Sequence, residues 1–128
     1  MCCYGARSIL GSRRAQSMDD ALDITLTVNG MPVTRRVPVR LNLVDFLRHE
    51  LGLTGSHVGC EHGACGACSV VVDGDVVRGC LMFAVQADRA VVETIEGASE
   101  NGRIKSLQDA FHDRAARQCG FCTPGMLL

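Results

Sequence analysis

Alternating apolar and polar residues predict a β-hairpin near the start of the chain. The apolar members of residues 23–29 fall on one face of an extended strand: Ile24, Leu26 and Val28. Asn29-Gly30 follows directly and is a strong signal for a hairpin turn, and residues 33–39 provide the returning strand. The pattern therefore opens with an antiparallel strand pair.

A helical repeat follows the hairpin. Asn42 suits an N-cap position, and the predicted helix runs to about Leu51, where Gly52 ends it. Its apolar residues recur at helical spacing and form one face: Leu43, Phe46, Leu47 and Leu51. We expect this face to pack on the sheet to which the hairpin belongs.

Three more strands are predicted in the first part of the chain, at residues 69–73, 75–78 and 90–95. Asp73-Gly74 is a turn signal between the first two of them. Residues 81–85 are apolar and fit either a short helix or an extended segment. Residues 21–97 are thus predicted to form a small mixed sheet with one packed helix, which is an α+β fold.

The composition changes after the last predicted strand, which closes at Glu96-Gly97. Residues 98–103 read as a linker, and Ser106 is the expected N-cap of a further helix. That helix has a predicted buried stripe: Leu107, Ala110, Phe111 and Ala115. Thr123 suits the N-cap of a last helix, so residues 98–128 are predicted to be a short helical part.

Length, charge and composition narrow the classes of protein. The 128 residues have a net charge of −1 and are 47% hydrophobic, which suits one domain with a small appendage. Nothing favours nucleic-acid or membrane-surface binding, and no apolar run approaches the roughly 20 residues of a membrane span. Residues 1–20 are expected to be a disordered lead, with Met18 an alternative start; Arg13-Arg14 lacks the apolar stretch of an export signal. We expect a cytoplasmic protein.

Four of the eight cysteines have the spacing of a plant-type [2Fe–2S] ligand set. They follow the pattern C-x4-C-x2-C-x11-C: Cys60, Cys65, Cys68 and Cys80. Each iron of such a cluster needs two thiolates beside the bridging sulfides. Gly59, Gly63 and Gly66 allow the backbone to take unusual angles and to approach the cluster closely. One loop can then place three sulfurs, while the second hairpin returns the fourth.

Other roles for these cysteines carry less weight. Disulfides suit neither a dense loop of Cys, Gly and Ala nor a chain without a visible secretory signal. A zinc site could join Cys65 and Cys68 to Cys119 and Cys122, but the gap is longer than zinc-ribbon spacing and leaves the other two cysteines of the set unused. Plain buried structural cysteines are the weakest alternative.

The histidines and the N-terminal cysteines are not expected to bind the cluster. His49 and His57 read as surface or loop residues. His62 could replace a cysteine only in a Rieske-type site, which needs two histidines on one iron. Cys2 and Cys3 are adjacent on a terminus without periodicity and are poorly placed to complete a site.

Three sequence runs together resemble a known family. They are G-C-E-H-G-A-C-G-A-C-S-V-V-V-D-G, then G-C-L, then Q-C-G-F-C-T-P-G-M. In this order they resemble the iron–sulfur small subunit of the molybdenum hydroxylases. That family includes aerobic carbon monoxide dehydrogenase, xanthine dehydrogenase and aldehyde oxidoreductases. The likeness covers residues from about 23 to 128.

The resemblance implies two [2Fe–2S] sites. The four cysteines named above would hold the first, in a β-grasp ferredoxin-like domain at residues 21–97. The second would lie in a small helical bundle begun by residues 98–128, where Cys119 and Cys122 match half of a ligand set. The later C-x-C pair of the family is not within the sequence, so the resemblance implies a C-terminally truncated subunit. Gln118 matches a family position that contacts the pterin of the molybdenum cofactor.

The implied function is electron transfer by an oxidoreductase subunit without a substrate-converting centre of its own. Electrons would pass from a large molybdenum-cofactor subunit, through the [2Fe–2S] clusters, to an FAD subunit or another acceptor. The alternative is a stand-alone [2Fe–2S] ferredoxin, and a zinc-stabilised interaction domain is a third class. The second C-x2-C and the apolar start of a helix after it favour the subunit.

Overall fold

The computed structural model describes residues 20–128. The predicted disordered lead lies outside these residues except for its last one, and so do Cys2, Cys3 and Met18. Within the described part of the chain, no helix is both long enough and apolar enough to cross a membrane.

A five-stranded mixed sheet is the centre of the fold. Its strands are β1 (Ala21–Val28), β2 (Met31–Pro38), β3 (Ser69–Val72), β4 (Asp75–Arg78) and β5 (Val91–Glu93), in the spatial order β2-β1-β5-β3-β4. The pairs β1/β2 and β3/β4 are antiparallel hairpins, and β5 joins them, parallel to β1 and antiparallel to β3. This arrangement confirms the predicted mixed sheet.

Both hairpins turn at the predicted dipeptides. Asn29 and Gly30 have φ of 50° and 82°, and Asp73 and Gly74 have φ of 50° and 95°. Positive φ at both central residues is the type I′ geometry, whose twist matches that of the strands. The β3/β4 hairpin is therefore tight, and it holds the residues before and after it close together.

The predicted helix follows β2 and covers one face of the sheet. Asn42 is its N-cap, because the side-chain oxygen accepts a hydrogen bond of 2.8 Å from the Asp45 amide. Helix α1 (Leu43–Asp45) continues as a π-helical turn, Phe46–Glu50, and Gly52 follows it with φ of 72°. The apolar side chains of this helix and of the inner sheet face form one core: Ile24, Leu26, Val28, Leu43, Phe46, Leu47, Val70 and Val92.

The segment after β5 differs from its prediction. β5 ends at Glu93, and α2 (Ile95–Glu100) begins after Thr94. The predicted strand to Ile95, the turn at Glu96-Gly97 and the linker that starts at residue 98 are therefore wrong. The chain leaves the sheet early because Thr94 turns inward and hydrogen-bonds the side chain of Asn29 at the end of β1. The undecided residues 81–85 lead into a 3-10 helix, Ala84–Ala87.

The last two helices are shifted from the predicted positions. In α3 (Lys105–Asp113) the N-cap is Ile104, so the assignment of that role to Ser106 is wrong. The buried stripe is wrong too, because no residue of α3 is buried and Leu107 is 41% exposed. In α4 (Thr123–Leu127) the N-cap is Cys122 rather than Thr123.

A second, smaller core joins these helices. Ile95 and Ala98 of α2, Ile104 before α3 and Leu127 of α4 are buried together. Phe111 and Leu128 pack against them from the side. Phe111 of α3 is half-buried against this core, whereas Leu107 and Ala115 of the predicted stripe are exposed. The division into domains at residues 97 and 98 remains a prediction.

Candidate metal centre

The loop of residues 59–68, called the cysteine loop below, lies between the first helix and β3. Cys68 is buried directly before β3, and Cys80 follows β4 after one residue. Ser69 pairs with Arg78 across the hairpin, and the Gly79 amide donates to the Cys68 carbonyl at 3.1 Å. The tight hairpin thus returns Cys80 to the end of the cysteine loop, as the sequence predicted.

The thiols of the four spaced cysteines are arranged as two pairs. The Cys65 amide donates to the sulfur of Cys60, and Gly79, directly before Cys80, donates its amide to the Cys68 carbonyl. After burial and the neighbouring Cys68, the charge of Cys60 also raises the pKa of Cys80, so the two pairs lie near each other. A binuclear cluster needs this arrangement, because each of its irons takes two thiolates.

Backbone amides of the cysteine loop point at the sulfurs. The Cys65 amide donates to Cys60 Sγ at 3.3 Å. Hydrogen bonds from the amides of Cys65 and His62 lower the pKa of Cys60 to about 6, because they favour the thiolate. Burial raises the pKa of Cys80, which has fewer such donors. The same N–H groups would stabilise thiolates bound to iron.

At two glycines of the cysteine loop, an added side chain would meet a close neighbour. Gly63 has φ of 82°, and a Cβ at this position would lie 2.4 Å from Leu81 Cδ1. Gly59 has little space, because a Cβ there would lie 3.1 Å from Cys65 Sγ. The loop therefore keeps its backbone close to the sulfurs, where a side chain would intrude.

These observations fit a [2Fe–2S] cluster. Among residues 20–128, no three His, Cys, Asp or Glu side chains are grouped as ligands of a single metal ion. All six cysteines in this range are free thiols. The paired thiols, the backbone donors and the glycine-rich loop provide what a binuclear cluster of two irons requires. Such a cluster would supply one-electron redox chemistry at this loop.

Arg78 contacts the cysteine loop, and the sequence analysis did not predict this contact. Its guanidinium donates to Ser69 Oγ at 2.5 Å, and that hydroxyl donates to the Gly66 carbonyl at 2.6 Å. A Cβ on Gly66 would lie only 3.4 Å from Arg78 Cζ. A permanently charged group therefore lies against the backbone between Cys65 and Cys68. The tight turn sets the pairing of Arg78 with Ser69, but the contact with Gly66 depends on the path of the cysteine loop, which no sequence pattern predicts.

The C-terminal C-x2-C lies against the cysteine loop. The ring of Phe121, between Cys119 and Cys122, stacks on the ring of His57 with centroids 4.7 Å apart. His57 Nδ1 lies 2.7 Å from the Phe121 carbonyl oxygen. Both cysteines are exposed, so their thiols are accessible to further ligands.

Helix α4 docks on the same loop through glycine. A Cβ on Gly125 would lie 2.1 Å from the Gly66 carbonyl oxygen and 3.1 Å from Ala67 Cα. Only a residue without a side chain allows this approach. Gly66 is therefore held between Arg78 on one side and α4 on the other.

The remaining predicted residues lie at the surface. Gln118 is exposed next to Cys119. His62 is exposed and its Nδ1 lies 2.6 Å from the Cys60 carbonyl oxygen. His49 is exposed on the first helix, 3.8 Å from Asp45.

A buried polar network holds the chain shortly before the cysteine loop, and the sequence analysis did not predict it. Thr94 is fully buried, and Asn29 Nδ2 donates to its hydroxyl at 3.0 Å. That hydroxyl donates to Glu96 Oε2 at 2.6 Å, and Glu96 Oε1 accepts from the Gly55 amide at 2.7 Å. The network therefore fixes residue 55 to the sheet, shortly before the first cysteine.

Two protein families match this chain, one for each of its cysteine-containing parts. The family described as "2Fe-2S iron-sulfur cluster binding domain" matches residues 26–97. The family described as "[2Fe-2S] binding domain" matches residues 94–128. The protein is thus of the class that joins two different [2Fe–2S]-binding modules in one chain.

Individual proteins match across both modules. The chain is 54% identical over 105 residues to caffeine dehydrogenase subunit gamma of Pseudomonas sp. (strain CBB1), covering 82% of this chain and 63% of that protein. It is 46% identical over 112 residues to the nicotine 6-hydroxylase small subunit of Paenarthrobacter nicotinovorans, covering 88% and 67%. The crystal structure of quinoline 2-oxidoreductase from Pseudomonas putida 86 matches with a TM-score of 0.79 at 46% identity, covering 84% of this chain and 67% of that chain.

This chain belongs to the family of [2Fe–2S] iron–sulfur subunits of the molybdenum hydroxylases. The finding confirms the resemblance and the α+β ferredoxin-like fold inferred from the sequence. The chain spans 63% of the length of the caffeine dehydrogenase subunit. The two relatives named above are subunits by name, which favours the subunit over a stand-alone ferredoxin.

Proposed function

We propose that this protein is the electron-transfer iron–sulfur subunit of a molybdenum hydroxylase. It would carry electrons from a molybdenum site in a partner subunit, through [2Fe–2S] clusters, to FAD or another acceptor. The single observation that carries the proposal is the contact of two cysteine motifs through His57 and Phe121. A stand-alone carrier needs one cluster, whereas a relay needs two that lie near each other.

The first cluster would be held by Cys60 and Cys65 on one iron and by Cys68 and Cys80 on the other. The amide of Cys65 on the sulfur of Cys60 and the hairpin that returns Cys80 to Cys68 support this assignment. Its charge with four thiolates is about −2 in the oxidised state, and the amide of Cys65 helps to offset it.

The second cluster would use Cys119 and Cys122 as half of its ligands. Their exposure supports this, since two more ligands must reach them. The exposed Gln118 would contact the pterin of the molybdenum cofactor on the large subunit. The partners are accordingly a large molybdenum-cofactor subunit and an FAD subunit, or fused equivalents, in the cytoplasm.

The test begins with anaerobic purification of the full chain. We expect about two irons and two acid-labile sulfides per chain from the first site, and an EPR signal after reduction with dithionite. Cys65→Ser should remove most of this iron, whereas Cys119→Ser should leave it in place. Bound zinc without sulfide would overturn the proposal.

Binding to a large subunit distinguishes an electron-transfer subunit from a free electron carrier. Co-expression with the large subunit of a molybdenum hydroxylase should give a complex that survives gel filtration, and substrate should then reduce the first cluster under anaerobic conditions. The matched control is the same complex without substrate. A chain that holds its cluster but never binds the large subunit would instead be a stand-alone ferredoxin.

A further inference from the structure

Arg78 lies against the cysteine loop, and the electron transfer proposed above gives it no role. It ends β4, opposite Ser69 at the start of β3, and it precedes Cys80 by two residues. Ser69 is 1% exposed, so the hydroxyl that holds the guanidinium is fixed inside the protein. The hydroxyl in turn donates to Gly66, between Cys65 and Cys68.

In the described range 20–128, Arg78 has no carboxylate within ion-pair distance, and the ion pairs formed there join other residues. Arginine stays protonated throughout the accessible pH range. A full positive charge therefore lies against the Gly66 backbone, where a Cβ would be 3.4 Å from the Arg78 Cζ and from its Nη2.

We propose that Arg78 sets the reduction potential of the first [2Fe–2S] cluster by placing a permanent positive charge beneath the cysteine loop. The inference rests on the proposed function, because it requires the cluster. One-electron reduction changes the total charge of the cluster and its thiolates from about −2 to about −3. A nearby cation stabilises the more negative state more strongly, and it therefore raises the midpoint potential.

Three substitutions of Arg78 separate the effect of its charge from the effect of its packing. Arg78→Lys keeps the charge but loses the planar donor fork, whereas Arg78→Gln keeps a hydrogen-bond donor but loses the charge. Arg78→Met keeps only an unbranched side chain. The matched control is Arg35→Gln, which removes one positive charge from β2 at the opposite edge of the sheet.

The experiment is a redox titration of the full chain, followed by EPR and visible absorption. For Arg78→Gln and Arg78→Met we expect the ratio of reduced to oxidised cluster at fixed potential to fall about tenfold, equivalent to about 59 mV for one electron. The midpoint potential of Arg78→Lys should stay close to that of the parent protein, and Arg35→Gln should leave the midpoint potential unchanged. If the two neutral variants fail to hold a cluster while Arg78→Lys holds one, the charge serves to retain the cluster, and the inference about the potential is overturned.

Several results would overturn the inference. One is a midpoint potential in Arg78→Gln and Arg78→Met equal to that of the parent protein. Another is a midpoint potential in Arg78→Lys that falls as far as in the two neutral variants. A third is an equal fall in Arg35→Gln. Loss of the cluster in all three Arg78 variants would show that the guanidinium is needed for packing alone. If the unmodified chain holds no iron or sulfide, the proposed function itself fails, which is a different outcome.

Discussion

His57 stacks its ring on that of Phe121 at an interplanar angle of 21°, and its Nδ1 lies 2.7 Å from the Phe121 carbonyl oxygen. Because a carbonyl oxygen only accepts, Nδ1 carries the hydrogen in this contact. The His57 amide also donates to the Ala67 carbonyl at 3.0 Å. One residue therefore connects the cysteine loop with the C-terminal C-x2-C, and it fixes how the two motifs face each other.

Replacing His57 by Ala should loosen the C-terminal motif. The lost hydrogen bond and ring contact are each worth about 1 kcal/mol. Together they correspond to about 30-fold more frequent local opening. The Thr123 amide, which donates to the Gly120 carbonyl at 3.2 Å, should then exchange its hydrogen faster by about this factor.

The control for this prediction is His49→Ala, since His49 is an exposed histidine on the first helix. Its removal should leave exchange at Thr123 unchanged. Equal exchange in the His57→Ala variant and the parent chain would mean that the ring contact does not hold the motif in solution.

Gly125→Ala should separate α4 from the cysteine loop. The new methyl group would lie 2.1 Å from the Gly66 carbonyl oxygen, which belongs to the backbone and has little freedom to move. Overpacking of this kind costs about 1–3 kcal/mol. Met126→Ala on the same helix is the control, because Met126 is 60% exposed and should cost less than about 0.5 kcal/mol. Urea unfolding of both variants distinguishes the outcomes, and equal stabilities would refute the close approach.

Thr94→Val should destabilise the protein through the polar network at the end of β1. The substitution leaves the Asn29 amide donor and the Glu96 carboxylate without their shared hydroxyl. Unsatisfied buried polar groups cost about 1–3 kcal/mol, and Thr94→Ser should recover most of this. Thr34→Val is the control, since Thr34 also shares a hydroxyl hydrogen bond but is exposed. If both valine variants have the same urea midpoint, the network does not stabilise the fold.

The parts of the fold that follow from neighbouring residues could be predicted. Asn42 and Asp45 are three positions apart, and the cap between them is a local hydrogen bond. Asp73-Gly74 adopts its turn because few other residues accept positive φ at both positions. The cysteine spacing likewise follows from the geometry of one loop and one tight hairpin. Local signals of this kind require no knowledge of the tertiary structure.

Contacts between distant residues explain what the sequence did not reveal. Val91, Val92 and Ile95 all favour strands, so the strand was extended too far; Thr94 leaves the sheet because it meets Asn29, 65 residues earlier. His57 meets Phe121 over a separation of 64 residues, whereas the sequence predicts only a surface or loop histidine. Arg78 reaches Gly66, 12 residues earlier, because the cysteine loop folds back against the β3/β4 hairpin. None of these pairings has a signature in the local pattern.

The contact between Gly63 and Leu81 offers a further prediction about the cover of the cysteine loop. Leu81 is 61% exposed, and its side chain lies where a Cβ on Gly63 would be. Gly63→Ala has two costs: about 1–2 kcal/mol for a left-handed backbone, and the displacement of Leu81.

A double-mutant cycle separates these two costs. Gly63→Ala combined with Leu81→Ala should be more stable than the sum of the single variants implies, because the shortened side chain no longer meets the new methyl group. The backbone cost should remain in both variants that carry the Gly63→Ala substitution, since it does not depend on Leu81. Thermal unfolding with iron content determined in parallel measures each corner of the cycle. A coupling energy of zero would mean that the Leu81 side chain does not lie against Gly63 in solution.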